Sequence, residues 1–295
     1  MITQSPARKW AYFLALSIIW GSSYILLKKG LESFSYIAAA TIRLGSAGLV
    51  FLPLGLAFFR KIPSGKWPLV VLSGLLSSLI PSYLFSLSQE HLQSSTAGIL
   101  LAITPSFTFL SSLFFVRKTY SSLQILGLFL GLFCSVTLSL LSSTGLNLSI
   151  NGYVFLIVIA TLCYGININL VKQYLADVPP LHLSTVSVTL NGLLAFLFVY
   201  LPNQTLFQFT PDTISSYLAL VTLGVVGTAL AQVLHVKLIY SSSPLFASAI
   251  TYLIPVVAIF WGILDNESFT VNHFIACLGI LASVYLIRQE ANQIA

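Results

Sequence analysis

The sequence predicts an all-α integral membrane protein whose ten transmembrane helices form two inverted five-helix repeats, residues 10–142 and 152–288. Three observations lead to this fold class. The chain is too apolar to cover a surface that faces water. Its apolar residues fall into ten runs of about the length that spans a bilayer. Its two halves also carry similar features at matching positions.

The composition makes lipid the solvent for most of the chain. Of 295 residues, 57% are hydrophobic and 7% are charged, whereas soluble domains carry about a quarter charged residues. The cysteines Cys134, Cys163 and Cys277 lie inside apolar runs, so we expect small buried side chains rather than disulfides or metal ligands. The first run follows Arg8 and Lys9, as in a signal peptide, but nine more runs follow it, so we expect it to be the first span.

Short polar or Pro- and Gly-containing segments separate the apolar runs, for example 60–66, 142–145 and 177–180. The weakest separation is the stretch Gln89, Glu90 and His91 between the third and fourth runs. The runs are 10–28, 35–59, 67–88, 95–116, 122–142, 152–171, 182–201, 214–236, 244–264 and 272–288.

Basic residues are concentrated in alternate connections between the runs. Ten spans place both termini on one side, and that side has ten basic residues against two, Lys28 and Lys29, on the other. Because positive residues accumulate in cytoplasmic loops, we expect a multi-pass protein of the inner membrane with both termini cytoplasmic. This topology explains the net charge of +6, so no nucleic-acid partner is expected. The ten residues are Arg8, Lys9, Arg60, Lys61, Lys66, Arg117, Lys118, Lys172, Lys237 and Arg288.

The two halves of the chain are similar at fixed offsets. Trp20-Gly21 matches Tyr164-Gly165 at an offset of 144 (164 − 20). Residues 73–74, 97 and 105 match residues 223–224, 247 and 255 at an offset of 150 (255 − 105). Because five spans are an odd number, the second half enters the membrane from the opposite side, which predicts an inverted repeat of the kind found in many secondary transporters.

Two prolines occupy matching positions near mid-membrane. Pro105 lies about ten residues into the fourth run and Pro255 about eleven into the ninth, which is close to mid-bilayer at 1.5 Å per residue. Proline removes a backbone hydrogen bond and kinks a helix, and interrupted helices in both halves indicate a transport site. The alternative is that these prolines only shape helix packing.

The stretch from Ile18 to Tyr24, followed by Lys28 and by Arg43, resembles the drug/metabolite transporter superfamily, and most closely its ten-span EamA-type carriers. The end of the second half, Ile254-Pro255 followed by 264–267 and Gly279, is similar to the end of each EamA repeat. This resemblance implies two inverted five-helix repeats around a central cavity, in a family that includes exporters of amino acids and other metabolites. The chain departs from the pattern at Arg117, which stands where the second repeat has an acid, and at Arg43, which has no counterpart in the second repeat.

No acidic residue falls at mid-membrane, since all seven lie in loops or at span ends. A carrier that exchanges protons for cationic drugs normally needs such a carboxylate, so this chemistry is disfavoured. Arg43 is the one clear cation within a span and could bind a carboxylate or phosphate with both arms of its guanidinium. The alternative is that Arg43 extends outward or pairs with backbone carbonyls and holds the fold.

Polar and aromatic residues within the spans are the other candidates for substrate binding. His235 and Gln232 lie one turn apart, and His235 could couple transport to protons or be a structural histidine. The amides of Asn167 and Asn191 should face a cavity or bond another helix. Trp20 and Tyr164 could form an aromatic wall for the substrate or serve ordinary packing. The remaining candidates, from the first motif or from similar depth, are Tyr24, Ser82, Tyr83, Thr104 and Tyr252.

These features predict a secondary transporter of small organic metabolites, such as amino acids or related amphipathic compounds, that works by alternating access and exports its substrate. The alternative is an importer or exchanger of nucleotide-like or other anionic metabolites, which would favour more buried cations than Arg43. A more remote alternative, an intramembrane enzyme, lacks protease, metal-diphosphate and His-Glu-x-x-His motifs here. Besides a small-molecule substrate we expect the lipid bilayer as partner of a monomer or weak homodimer, without cofactor or metal.

Overall fold

The computed structural model describes residues 6–92, 94–115, 120–142, 152–264 and 270–288, and within these ranges all regular secondary structure is helical. The predicted all-α class is therefore confirmed. The α-helices are α1 (Pro6–Leu31), α2 (Tyr36–Phe59), α3 (Trp67–Gly74), α4 (Ile80–His91), α5 (Ser94–Leu101), α6 (Thr104–Phe115), α7 (Ser122–Ser142), α8 (Val154–Tyr174), α9 (Pro180–Ala195), α10 (Ile214–Gly224), α11 (Ala231–Ser241), α12 (Pro244–Ser248), α13 (Ile250–Leu264) and α14 (Val271–Arg288).

Seven helical stretches in the described part of the chain are long and apolar enough to cross a membrane, and two shorter apolar helices lie at Ser122–Leu138 and Pro244–Val257. The seven are Ala7–Leu31, Tyr36–Phe59, Ser64–His91, Val154–Tyr174, Pro180–Phe207, Pro211–Ser241 and Val271–Arg288. A count of ten crossings and the inverted arrangement stay predictions. The sequence departures at residue 117 and at residues 265–267 lie outside the described residues.

The helix interruption predicted at Pro105 is present, whereas the one predicted at Pro255 is wrong. In the fourth run a turn at Ala102 and Ile103 separates α5 from α6, and Pro105 follows at the second position of α6. The Thr104 hydroxyl donates to the Leu101 carbonyl at 2.7 Å, which satisfies an acceptor that the break leaves free. In the ninth run the break is at Ala249, whereas Pro255 lies inside the continuous helix α13.

Two π-helical turns extend the third and eighth runs at matching positions. Leu75–Leu79 connects α3 to α4, and Val225–Leu230 connects α10 to α11, an offset of 150 residues (225 − 75). A π-helical turn widens the helix locally and frequently marks a functional site. The sequence analysis did not predict these turns, because neither contains a proline and their hydropathy is that of ordinary span residues.

Glycines allow several helix pairs to approach closely. A Cβ atom on Gly21 of α1 would lie 2.6 Å from Val257 of α13, and one on Gly165 of α8 would lie 2.8 Å from the backbone of residue 107 in α6. Gly131 of α7 faces the ring of Tyr252 in the same way. Glycine therefore permits contacts that any larger residue would displace.

One end of the helix bundle is rich in lysine. At this end, where α1 begins, the Lys66 ammonium donates to the Tyr174 carbonyl at 2.7 Å and pairs with Asp177 at 3.1 Å. The Lys172 ammonium donates to the carbonyls of Ile239 and Tyr240, each at 3.0 Å. We call this end of the bundle the lysine-rich end. The guanidinium of Arg288 lies 5.8 Å from the ring centre of Trp10, so the first and last described helices meet here too.

The opposite end of the bundle is joined by other kinds of contact. The Glu90 carboxylate accepts a hydrogen bond from the backbone N–H of Tyr36, the first residue of α2. The hydroxyls of Ser33 and Ser216 lie 2.9 Å apart, and the Ser88 hydroxyl donates to a backbone carbonyl at 3.0 Å. These contacts align the end of α4 with the beginning of α2, which fixes the relative depth of residues on the two helices.

Candidate functional site

A cavity of about 110 Å³ lies between the helices near the middle of the bundle. A buried water needs about 10–15 Å³ on this measure, so the cavity has room for several waters or a small organic solute. Its walls come from both halves of the chain and include both π-helical turns. The lining residues are Trp20, Ser23, Tyr24, Leu27, Arg43, Ser77, Ser78, Phe85, Gln89, Leu101, Thr104, Tyr164, Asn167, Ile168, Leu223, Gly227, Thr228, Gln232, His235, Ala247, Ser248, Thr251 and Ile254.

Eight of the fourteen residues predicted for substrate binding line this cavity. They are Trp20, Tyr24, Arg43, Thr104, Tyr164, Asn167, Gln232 and His235. The other six are not among its lining residues, namely Ser82, Tyr83, Pro105, Asn191, Tyr252 and Pro255. The structure thus brings most of the predicted set to one place, and the role of each residue in binding stays a prediction.

Arg43 brings a positive charge into the cavity without a carboxylate to neutralise it. Its Nε donates to the Thr228 hydroxyl at 2.8 Å, and among the described residues no acidic side chain lies within 4.0 Å of it. The Tyr164 hydroxyl lies close enough to the Arg43 guanidinium, and to the Tyr24 hydroxyl, to interact with each electrostatically. Because the hydrogen bond engages Nε, the terminal nitrogens of the guanidinium remain for a solute.

Several polar atoms at the cavity are buried without a hydrogen-bond partner in the protein. They are the Tyr24 hydroxyl, the side-chain oxygen of Asn167, and both the oxygen and the nitrogen of the Gln89 amide. An unsatisfied buried polar group costs about 1–3 kcal/mol, so native structures nearly always provide a partner. Water or a solute in the cavity is the partner that this arrangement can accept.

Trp20 is held in a fixed orientation at the centre of the cavity. Its indole N–H donates to the carbonyl of Gly227 at 3.1 Å, in the π-helical turn of the second half. Its ring meets the imidazole of His235 edge to face, with centroids 5.0 Å apart. Gln232, one turn before His235, donates to the Ser77 hydroxyl at 3.3 Å in the other π-helical turn. Trp20 is thus bonded to the π-helical turn of the second half, and Gln232 is bonded to the π-helical turn of the first half.

The predicted residues outside the cavity make contacts between helices. The Asn191 amide donates to the Gly74 carbonyl at 2.8 Å, and the Tyr252 hydroxyl donates to the Leu128 carbonyl at 2.8 Å. The Tyr83 hydroxyl lies 2.9 Å from that of Thr41. Each contact satisfies a polar side chain within the bundle, and for Asn191 it is the bond to another helix that the sequence analysis named as one of two possibilities.

The sequence analysis missed seven polar residues that line the cavity, namely Ser23, Ser77, Ser78, Gln89, Thr228, Ser248 and Thr251. Most are Ser or Thr, which are common in membrane helices because they can bond their own backbone, as Thr251 does with the Ser248 carbonyl at 3.0 Å. Gln89 was interpreted only as a boundary between two spans. The available signal was its position inside α4, which runs two residues further.

The model of the EamA-like transporter family matches residues 9–140 and again residues 151–289. The chain belongs to the EamA-like transporter family. This EamA-like chain is 28% identical over 284 residues to an uncharacterized inner membrane transporter of Escherichia coli K12, YedA, across 92% of this chain and 88% of that protein. It is 21% identical over 288 residues to an uncharacterized transporter of Archaeoglobus fulgidus, across 95% of this chain and 98% of that protein.

The same fold occurs in a solved structure. A protein crystal structure superposes on this EamA-like chain with a TM-score of 0.73 at 15% identity, covering 96% of both chains. The family resemblance noted from the sequence is confirmed, and the match supports a membrane transporter.

Proposed function

We propose that this protein is a secondary transporter that moves small organic metabolites, such as amino acids or related amphipathic compounds, through the central cavity by alternating access. We place it in the inner membrane with both termini in the cytoplasm and with export as its direction. The observation that carries the proposal is Arg43, a cation without an acidic partner among the described residues, on the wall of an otherwise neutral cavity.

The chemistry of the cavity fits a solute with a carboxylate. The guanidinium of Arg43 offers two terminal nitrogens to a carboxylate, and such charge-assisted pairs are the stronger hydrogen bonds of proteins. An ammonium group of the same solute would find the unpartnered oxygen of Asn167 and the ring face of Tyr164 on α8. No acidic residue is among the lining residues that the structure describes, which disfavours an isolated cation as substrate.

The cavity walls are buried toward both ends of the bundle. Exposure is 7% at His235 and 2% at Ser248 toward the lysine-rich end, and 5% at Leu27 and 7% at Phe85 toward the opposite end. Transport by alternating access therefore requires each end to open in turn.

An importer or exchanger of nucleotide-like or other anionic metabolites is the second candidate. Arg43 favours it as well, because a phosphate also pairs with a guanidinium. A phosphate carries up to two charges, however, and the described cavity wall offers one cation. Singly charged carboxylates match this wall better.

The proposal is tested by counterflow in proteoliposomes loaded with amino acids, with other carboxylates or with nucleotides. We expect Arg43→Gln to weaken transport of carboxylate solutes by about ten- to a hundredfold, the loss of one charge-assisted hydrogen bond of about 1.5–3 kcal/mol. Lys28→Gln, which removes an exposed cation from the end of α1 outside the cavity, is the matched control. Equal transport by the wild type and Arg43→Gln would contradict the proposal, and selective counterflow of nucleotides would favour the second candidate.

A further inference from the structure

Gln89 is the polar side chain of the cavity wall whose hydrogen-bonding capacity is least used. Both ends of its amide are buried, and neither has a hydrogen-bond partner in the protein. The side chain lines the cavity near the end of α4. Leaving an amide donor and an amide acceptor unsatisfied in a buried place is unfavourable, so the site is built for an occupant.

The surroundings of Gln89 are otherwise apolar. Phe85, one turn earlier on α4, lines the cavity with Leu27 and Leu101. Both atoms of the Gln89 amide thus remain available, and the described cavity wall carries no Lys, Arg, Asp or Glu other than Arg43.

Gln89 is separated from Arg43 along the membrane normal. Glu90 contacts the backbone of Tyr36, so the end of α4 is level with the start of α2. Arg43 is seven residues further along α2, which corresponds to about 10 Å at 1.5 Å per residue. A hydroxyl contact of 2.9 Å between Thr41 and Tyr83 confirms that the two helices keep this antiparallel register.

The unused atoms of Gln89 define the chemistry of the occupant. A carboxylate only accepts hydrogen bonds and would leave the Gln89 oxygen unsatisfied, whereas an ammonium only donates and would leave the Gln89 nitrogen unsatisfied. A neutral group that both donates and accepts, such as a carboxamide, satisfies both atoms at once.

We propose that Gln89 forms a second subsite that binds a neutral donor–acceptor group, of the carboxamide class, at the end of the substrate distant from Arg43. This inference rests on the proposed function, because it assumes that a solute with its carboxylate on Arg43 occupies the cavity. The subsite makes the carrier selective for polar chains over apolar chains of equal shape, since an apolar group leaves buried polar atoms unpaired.

The test compares pairs of amino acids that differ only in the exchange of a carboxamide for an isopropyl group. The pairs are asparagine with leucine, glutamine with homoleucine, and homoglutamine with its isopropyl counterpart. Each is measured by counterflow in proteoliposomes containing the wild type or Gln89→Met. Gln89→Met keeps the length of the side chain and removes both hydrogen-bonding atoms of the amide.

We expect the wild type to prefer the carboxamide in at least one pair, and Gln89→Met to reduce that preference by about tenfold, the loss of the hydrogen bonds to one buried amide. Ser86→Ala is the matched control, because Ser86 lies on the same helix with a buried unpartnered hydroxyl but does not line the cavity. The control should keep the wild-type preference.

The failure of the subsite and the failure of the proposed function give different results. If the wild type transports amino acids and Gln89→Met, present in the membrane at normal amounts, keeps the wild-type ratio in every pair, the subsite is refuted. A wild type that transports amino acids without preference in any pair also refutes it. If no amino acid is transported by any chain while nucleotides are, the proposed substrate class fails first and the subsite fails with it.

Discussion

The two ends of the bundle are closed by different chemistry. At the lysine-rich end, ammonium groups on Lys66 and Lys172 reach backbone carbonyls of other helices or loops, and the Tyr240 hydroxyl donates to the Val178 carbonyl at 2.8 Å. At the opposite end a carboxylate and serine hydroxyls make the contacts between segments. Ammonium groups thus join the segments at one end, and a carboxylate and hydroxyls join them at the other.

The comparison indicates which end of the bundle requires more free energy to open. Hydrogen bonds that involve a charged group contribute about 1.5–3 kcal/mol, against about 0.5–1.5 kcal/mol for neutral ones. At the lysine-rich end ammonium groups make three such bonds between segments, whereas at the opposite end the Glu90 carboxylate makes one, so the lysine-rich end should be the harder of the two to open. Removing its contacts one at a time tests this difference, and we give the expected effects from the largest to the smallest.

The largest effect is expected from Lys172→Gln. Loss of the ammonium leaves the carbonyls of Ile239 and Tyr240 without their charged donor, so the lysine-rich end should open about tenfold more often. The measurement is the rate at which an impermeant maleimide labels Ser248→Cys from each membrane face, in a chain whose three native cysteines are replaced by Ala.

Lys237→Gln provides the control at the same end. Its ammonium lies 6.0 Å from the ring centre of Tyr12, and an exposed contact of this kind contributes about 0.5–1 kcal/mol. A smaller change in labelling is therefore expected. Labelling that rises equally in the two variants would show that net charge, rather than the carbonyl contacts of Lys172, controls the end.

An intermediate effect is expected from His235→Gln, at the buried end of the cavity beside Trp20. His235 is the histidine among the described residues that line the cavity, and histidine is the residue type that ordinarily titrates between pH 5 and 8. If transport by the wild type varies severalfold across this interval, the variant should give a flat profile. An unchanged slope in the variant would exclude His235 as the coupling residue.

The smallest effect is expected from Asp177→Asn. The hydrogen bond from Lys66 lowers the pKa of the exposed Asp177 carboxyl below its usual value, so the ion pair contributes at neutral pH and is lost as the pH falls through that lowered pKa. Exposed ion pairs contribute about 0–1 kcal/mol, so maleimide labelling at pH 7 should rise less than about fivefold.

The acid range separates the variant from the wild type further. Wild-type labelling should rise on acidification as Asp177 is protonated, whereas Asp177→Asn should lack that component. A large rise in labelling of the variant at pH 7 would place the main closure of the lysine-rich end at this surface pair instead of at Lys172.

The sequence predicted how deep a residue lies in the membrane better than it predicted which side of its helix the residue occupies. Apolar runs show where helices lie, because a bilayer demands about 20 apolar residues per crossing, and Trp20, Arg43 and Tyr164 were placed at cavity depth on that basis. The side of the helix was harder to predict. Asn191 and Tyr252 have similar depth but face neighbouring helices, since a span buried on several sides has no single polar face.

Gln89 shows the converse error. Its neighbours Glu90 and His91 mark a span end, so all three were interpreted as a boundary, although α4 carries Gln89 within its last turn and places it on the cavity wall. The break at Ala249 was also beyond prediction, because an alanine carries no signal for a turn and Pro255 lies six residues later.

The π-helical turn at Val225–Leu230 sets the rotational phase of everything that follows it on the same helix. A π-helical turn accommodates one residue more than an α-helical turn, while each α-helical residue advances the chain by about 100°. If the turn converted to ordinary α-helix at its present length, Gln232 and His235 would rotate about the helix axis by about 100° relative to Thr222 and the rest of α10. This single turn therefore sets which side of the helix faces the cavity in the second part of the span.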